Sequence, residues 1–371
     1  LVFKVVDPLD LEDFYPIVGE AWAGFDEDMI REWIDDTVAH GFNTVAFSGN
    51  VIKDYDWLHG YDWDRLQNFA EGYAQERGLA VAIDYSLLVD CQRHRPPGVC
   101  INHPGFEKAE EAFLMPQLAT AARIPRLYSV ETVDEPLVSK DSVCYCDYCK
   151  EGFRKRYGFE MPVLARIRDY DVETRLKLYE WISDYWAKGF KTMYDLKRRA
   201  GFKFHLNHTF CLLSFGAFCP EHYYRDSFAW APYCDILDFD VYPYMYPMWR
   251  GSNRLIFHVV HHHLSGHRAL TRFYGKPLGF FVETTERNYP MYVPPVRASS
   301  EVAYTAVAHG VNFLKTFINV PFTGPPSNNG PSQARWDVFG GDLRMIGLVS
   351  PLLTRLEKAR PRFAMLFAFT D

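Results

Sequence analysis

From Tyr15 onward, short apolar runs alternate with longer stretches whose apolar residues recur at helical spacing. The predicted strands are Tyr15–Trp22, Phe42–Phe47, Leu79–Leu87 and Arg126–Val133, then Phe202–Phe210, Asp235–Tyr242, Pro277–Glu283 and Val311–Ile318. Helices are expected between them over Asp26–His40, Trp63–Arg77, Gly105–Arg123, Cys149–Tyr157, Val172–Ala200, Ser252–Ala269 and Ser299–His309. A last helix, Val338–Lys358, follows the Gly/Pro/Asn-rich loop Thr323–Ser332. Near-continuous apolar strands are covered on both faces, which points to a parallel sheet. Eight strand-then-helix units are what closes a ring, so the predicted class is α/β, a (β/α)8 TIM barrel over residues 1–359. A doubly wound open sheet is the structural competitor, but no Gly-rich phosphate loop follows the first strand. The run Arg360–Phe369 is strand-like with no helix after it. Residues 360–371 therefore read either as an outer strand or as the start of a truncated second domain.

Composition narrows the function classes. Among 371 residues, 48% are hydrophobic and 23% charged, which is ordinary globular usage. A net charge of −7 without basic blocks argues against nucleic-acid or anionic-membrane partners. No apolar run approaches the about 20 residues of a membrane span. No secretory leader is visible after Leu1, so a cytoplasmic location is the expectation, although a leader already removed would leave the same sequence. The aromatic share is high at 16%; rings fill cores, and they also stack on the C–H faces of sugars.

Barrel active sites lie at the C-terminal ends of the strands. The fourth predicted strand runs into Glu131-Thr132-Val133-Asp134-Glu135-Pro136, and the seventh into Val282-Glu283-Thr284-Thr285-Glu286. Two facing carboxylates suit glycosidic bond cleavage: one protonated to supply the leaving oxygen, one ionised to attack the anomeric carbon or activate water. Glu135 and Glu283 are the catalytic candidates. Glu286 competes with Glu283 but falls past the strand, and a plain solvated or helix-capping role is the alternative for each. Glu131 shares a face with Glu135, deeper in the barrel, where Lys315 is a conceivable partner.

The layout resembles the clan A retaining glycoside hydrolases, barrels in which the acid/base Glu ends strand four in an Asn-Glu motif and the nucleophile ends strand seven. Here the motif reads Asp134-Glu135-Pro136, so Asp stands at the Asn position; it can accept a bond from a sugar 2-hydroxyl but cannot donate an amide N–H. A more specific likeness is to the family 42 β-galactosidase-like group, which carries a cysteine-rich segment after the strand-four Glu, then Phe-Arg and Tyr-Gly. The matching residues are Cys144-Tyr145-Cys146-Asp147-Tyr148-Cys149, Phe153-Arg154 and Tyr157-Gly158. The resemblance implies a β-glycoside or oligosaccharide substrate, no organic cofactor, and a homo-oligomer, a trimer in that family.

Eight cysteines are too few for a disulfide scaffold, but Cys144, Cys146 and Cys149 form C-x-C-x-x-C. Three thiolates call for a fourth ligand around Zn²⁺. By the resemblance it comes from the region after strand three, where Cys100 is the first choice, with Cys91 and His103 as alternatives. A closed site of four ligands is structural; free or disulfide-bonded cysteines are the other reading. Cys211, Cys219 and Cys234 read as buried thiols. The run His258, His261, His262, His263 and His267 reads as a solvated helix face.

Further candidates line the expected mouth. Asp238, Asp240 and Tyr242 alternate on one face of strand six, and the resemblance gives Tyr242 a hydrogen bond to the nucleophile. Asn207 and His208 end strand five as possible sugar contacts. Trp22 and Trp336 are candidate sugar platforms, with a core role as the alternative for both.

Overall fold

The structure is a computed structural model that describes residues 14–21, 26–48, 63–84, 99–133, 143–202, 204–208, 227–239, 253–284, 295–317 and 333–355. Its strands are β1 (Ile17–Ala21), β2 (Thr44–Ser48), β3 (Ala80–Asp84), β4 (Leu127–Val133), β5 (Phe204–His208), β6 (Ile236–Phe239), β7 (Gly279–Glu283) and β8 (Phe313–Phe317). The helices are α1 (Glu27–Ala39), α2 (Trp63–Glu76), α3 (Phe106–Ala121), α4 (Asp147–Tyr157), α5 (Val172–Arg199), α6 (Ser227–Trp230), α7 (Asn253–Tyr274), α8 (Ala298–Ala308) and α9 (Gln333–Arg355). All strand pairs are parallel, in the order β6-β5-β4-β3-β2-β1-β8-β7. β6 and β7 meet through the bridge Leu237–Leu278, which brings the two ends of the sheet together. This is the expected (β/α)8 TIM barrel.

Helix starts follow their caps. The Asp26 carboxylate accepts from the Met29 N–H at 2.8 Å and opens α1; Asp171 does the same from Thr174 at 2.9 Å and opens α5. α1 stops where Gly41 takes φ +84°, a conformation that a side chain would strain. Two helices depart from the predicted bounds. α7 runs on to Tyr274, five residues past the expected end. α9 begins at Gln333 rather than Val338, because Arg335 and Trp336 in its first turn are already buried against neighbouring helices. The short helix α6 and the 3₁₀ turns Leu164–Asp169 and Ala231–Tyr233 were not expected from the pattern.

Small side chains make the barrel interior. Val18, Ala46 and Ala82 face Phe313, and Tyr128 stacks on Phe313 with centroids 6.0 Å apart. Gly279 completes this layer: a Cβ there would lie 2.3 Å from Phe313 Cδ1 and 2.4 Å from Asp238 Cβ. The alternate residues, such as Phe280, Val282 and Leu314, pack outward under α7, α8 and α9. Beyond the barrel wall, α4 and α5 build a further apolar body around Phe153, Trp186, Phe190 and Trp230. β4 carries the irregular register: it shifts against β3 at Val81/Ala82 and against β5 at Glu131/Val133. Bulges of this sort re-aim the end of a strand. The buried Lys197 ammonium of α5 reaches back to donate to the Val130 carbonyl of β4 at 2.7 Å.

The histidine run differs from expectation. His263 and His267 on α7 are completely buried, and the His267 ring stacks on Phe239 with centroids 3.6 Å apart. Only part of the run is solvated, since α7 turns one side of it onto β6. His261 is exposed and meets His309 at 2.6 Å. Cys234 is fully buried, as expected, whereas Cys211 and Cys219 lie outside the described residues. Among the described residues no helix is long and apolar enough to cross a membrane.

Candidate active site and metal centre

β7 delivers Glu283 as its last residue, 2% exposed, in register with Phe317 of β8. Its inward neighbours down the strand are Phe281 and Gly279, because Phe280 and Val282 belong to the outward layer. The Glu283 main-chain carbonyl does not end unsatisfied: the Ser299 hydroxyl of α8 donates to it at 2.9 Å. Ser299 in turn accepts from Arg335 Nη2 of α9 at 3.1 Å, and both residues are buried. Thr284, next in the chain, is buried as well.

A polar layer lies below in the barrel. Lys315 is 1% exposed, with its ammonium 4.4 Å from the centroid of the Phe281 ring. Asp238 is fully buried on β6. Burial, and then the negative charge of Asp238, push the Tyr128 hydroxyl well above its ordinary pKa. Lys315 is the conceivable partner of Glu131 from the sequence; the Glu131 side chain lies outside what is described, and its backbone is in register with Asp84 of β3 and His205 of β5.

The remaining candidates divide sharply. Asp134, Glu135, Trp22, Asp240, Tyr242 and Glu286 lie outside the described residues. Asn207 is in register with Asp238, and His208 with Phe239. Trp336 is corrected. It is 2% exposed, stacks on Phe42 at 5.5 Å, and donates its indole N–H to Asp36 at 2.7 Å. Enclosed between α1 and α9, it has no face left for a sugar; it is a core residue of the helical shell.

The four expected cysteine ligands do come together. The sulfurs of Cys100, Cys144, Cys146 and Cys149 all lie within 4.8 Å of one another, and Cys100 Sγ is 3.4 Å from Cys149 Sγ. Cys146 is the N-cap of α4 and Cys149 sits in its first turn, so C-x-x-C becomes two thiols on one side of a helix start. Cys100 arrives from the turn before α3. Tetrahedral coordination with metal–sulfur bonds of about 2.3 Å needs sulfurs about 3.8 Å apart, which this cluster fits. Asn102 donates twice to the cluster, from its main-chain N–H to Cys100 at 3.3 Å and from Nδ2 to Cys149 at 3.5 Å. Lys188 of α5 holds the other end of that amide at 3.3 Å.

Charge explains why such a cluster favours a cation. Hydrogen bonds from Cys144 and then Cys149 hold the Cys100 thiol far below its ordinary pKa. The same bonds push those two up, Cys144 to about 11. Thiols this close cannot all ionise without a cation between them, and a divalent ion is what lets them do so together. His103 is not part of the group: its Nδ1 accepts from the Gly105 N–H at 2.9 Å, and its ring packs against Tyr148. Cys91, the other alternative, lies outside the described residues. Asn102, Lys188, Ser299 and Arg335 escaped the sequence reading, because none belongs to a motif; Asn102 lies two residues from Cys100, and the others reach their sites only through tertiary contact.

No family model and no curated protein matches this chain. Solved structures do. The fold is similar to a β-galactosidase from the psychrophilic Marinomonas ef1, with TM-score 0.67 and 14% identity over 92% of this chain and 62% of that one. It is similar to a GH42 β-galactosidase from G. stearothermophilus, with TM-score 0.68 and 13% identity over 94% and 58% of the two chains. It is also similar to an endo-1,4-β-D-mannanase from Thermotoga petrophila, with TM-score 0.57 and 11% identity over 90% and 100%. The chain therefore spans about three fifths of these two β-galactosidases and the whole of the mannanase. At such identities the likeness establishes the fold.

Proposed function

We propose that the protein is a retaining glycoside hydrolase acting on a β-linked, galactoside-like sugar. The observation that carries this reading is Glu283: a carboxylate at the C-terminal end of β7 of an eight-stranded parallel barrel, buried, with its main chain tied to α8. In this mechanism Glu283 attacks the anomeric carbon while Glu135, just past the end of β4, protonates the departing oxygen. Glu135 then takes a proton from the incoming water, which releases the sugar with its configuration retained. The two carboxyl groups work at a separation of about 5–5.5 Å, and Glu135 needs its proton held by burial and by the charge of Glu283. Asp134, Tyr242, Asn207, His208 and Trp22 supply contacts to sugar and nucleophile. No organic cofactor takes part.

In the same reading Cys100, Cys144, Cys146 and Cys149 hold Zn²⁺. With four protein ligands the ion has no open position, so it ties the turn before α3 to the start of α4 and does no chemistry. β-Galactosidase-like specificity and assembly into homo-oligomers, a trimer as in family 42, belong to the proposal. The barrel likeness to β-galactosidases and the Cys-x-Cys-x-x-Cys segment both support it.

The test is turnover of a panel of aryl β-glycosides by wild type and by Glu283→Ala, with azide added to the variant. Loss of turnover with recovery as the inverted glycosyl azide supports Glu283 as nucleophile. Full activity in the variant removes it. Sugar binding without turnover in the wild type points instead to a barrel that holds carbohydrate and does not cut it.

A further inference from the structure

Ser299 stands in the first turn of α8 and Arg335 in the first turn of α9, at 4% and 2% exposure. A hydroxyl has one hydrogen to give, a carbonyl only accepts, and a guanidinium only donates. The two bonds therefore run in one sense: Arg335 donates to the Ser299 oxygen, and Ser299 donates to the Glu283 carbonyl. Such a chain strengthens itself, because each donor polarises the next.

Packing alone does not call for an arginine here. The other large buried residues of α9 are Trp336, Phe339, Leu343 and Ile346. Burying a cation among them is costly unless its neighbours compensate. Ser299 gives the Glu283 carbonyl a partner from α8, in addition to the register that β7 shares with β8 at Phe317. Through the serine, the arginine connects to the peptide of the residue at the strand end.

We propose that Arg335 and Ser299 form a positioning relay for the nucleophile, the serine clamping the Glu283 peptide and the arginine orienting the serine. This rests on the reading of Glu283 as nucleophile. With its peptide held from α8 and α9, Glu283 keeps its reach to the anomeric carbon without drawing on substrate binding. A displacement of about 1 Å at such a position costs roughly a hundredfold in rate. The bond from Arg335 fixes which way the Ser299 hydroxyl points and so keeps its hydrogen on the Glu283 carbonyl.

The experiment takes the full chain as wild type, Ser299→Ala, Ser299→Thr, Arg335→Met and Arg335→Lys, with Glu283→Ala plus azide in parallel. For each, kcat and KM are measured on an aryl β-glycoside below the Tm. Ser299→Ala should lower kcat roughly tenfold with KM nearly unchanged, and Ser299→Thr, which keeps the hydroxyl, should recover most of it. Arg335→Met should lower kcat in the same way with KM nearly unchanged, and Arg335→Lys, which keeps a donor, should recover part of it. If Arg335→Met does not fold, the serine pair and Arg335→Lys carry the test. Wild-type kcat in Ser299→Ala and Arg335→Met, or in Ser299→Ala alone if Arg335→Met does not fold, while Glu283→Ala is dead and rescued by azide, overturns the relay and leaves the nucleophile standing. Undiminished turnover in Glu283→Ala, or a wild type inert on every glycoside, overturns both.

Discussion

The cysteine cluster and the end of β7 are assembled in opposite ways. Three of the four thiols come from one short motif at the start of α4, and only Cys100 has to be brought in from outside. The helix start fixes the spacing of Cys146 and Cys149 before any distant contact forms. Glu283 has no such local help. Its burial depends on β8 beside it, its peptide on Ser299, and Ser299 on Arg335, residues from two successive β/α units. A motif makes a site robust and recognisable; the end of β7 is built only once neighbouring units have packed together. The first arrangement suits a structural tie, the second a centre where position sets rate.

Perturbations should separate the two regions. The largest effect belongs to Glu283→Ala, which should cost at least about a thousandfold in kcat/KM while leaving Tm nearly unchanged. Removing metal should do the reverse. A chelator, or Cys149→Ser, should lower Tm by about 5 °C or more, abolish bound zinc by elemental analysis, and leave kcat close to normal at temperatures where the protein stays folded. Chelation that stops turnover with Tm intact would erase the contrast by making the cysteine centre chemical.

Gly279→Ala comes next. Its Cβ collides with Phe313 and Asp238 inside the barrel, so denaturant melts should show a loss of about 1–3 kcal/mol. Trp336→Phe should cost about 1 kcal/mol, through loss of the indole bond to Asp36, with KM for any sugar unchanged. A raised KM would return Trp336 to the sugar site.

The smallest and broadest effect is with pH. Burial holds His263 neutral down to about 3, and burial followed by the charge of His261 holds His309 neutral down to about 4. The unfolded chain binds those protons near 6.5. Stability should therefore fall as pH drops from about 6.5 toward these values. His40 opposes this. Burial pulls its pKa down, but the bonds and charge of Asp36 with the bond to Asp337 outweigh that and leave it raised. Its contribution is whole below its unfolded pKa and lost as pH rises through the folded one. Thermal melts of His263→Gln across pH 4–8 should show a flatter acid limb than wild type.

Periodicity alone placed all eight strands, because a strand buried on both faces has to be apolar nearly throughout, and that leaves a mark in any single sequence. Boundaries were less legible. The predicted start of α9 at Val338 missed Arg335 and Trp336, since a polar residue and an aromatic after a Gly/Pro/Asn loop look like loop until their partners, Ser299 and Asp36, are known. The buried side of the His258–His267 run was hidden for the same reason: histidines look solvated until a strand is laid against them.

By itself, then, the order of residues determined the alternation that makes a barrel, the spacing that gathers Cys144, Cys146 and Cys149, and the carboxylate that terminates the seventh strand. These are short-range properties, written by helix and strand periods within a few turns or pleats. Tertiary structure decided that Cys100 completes the thiol cluster, that Trp336 is walled in, and that Arg335 and Ser299 reach the Glu283 peptide. Each of those joins positions far apart in the chain. Only the packing of neighbouring units against one another sets their distances.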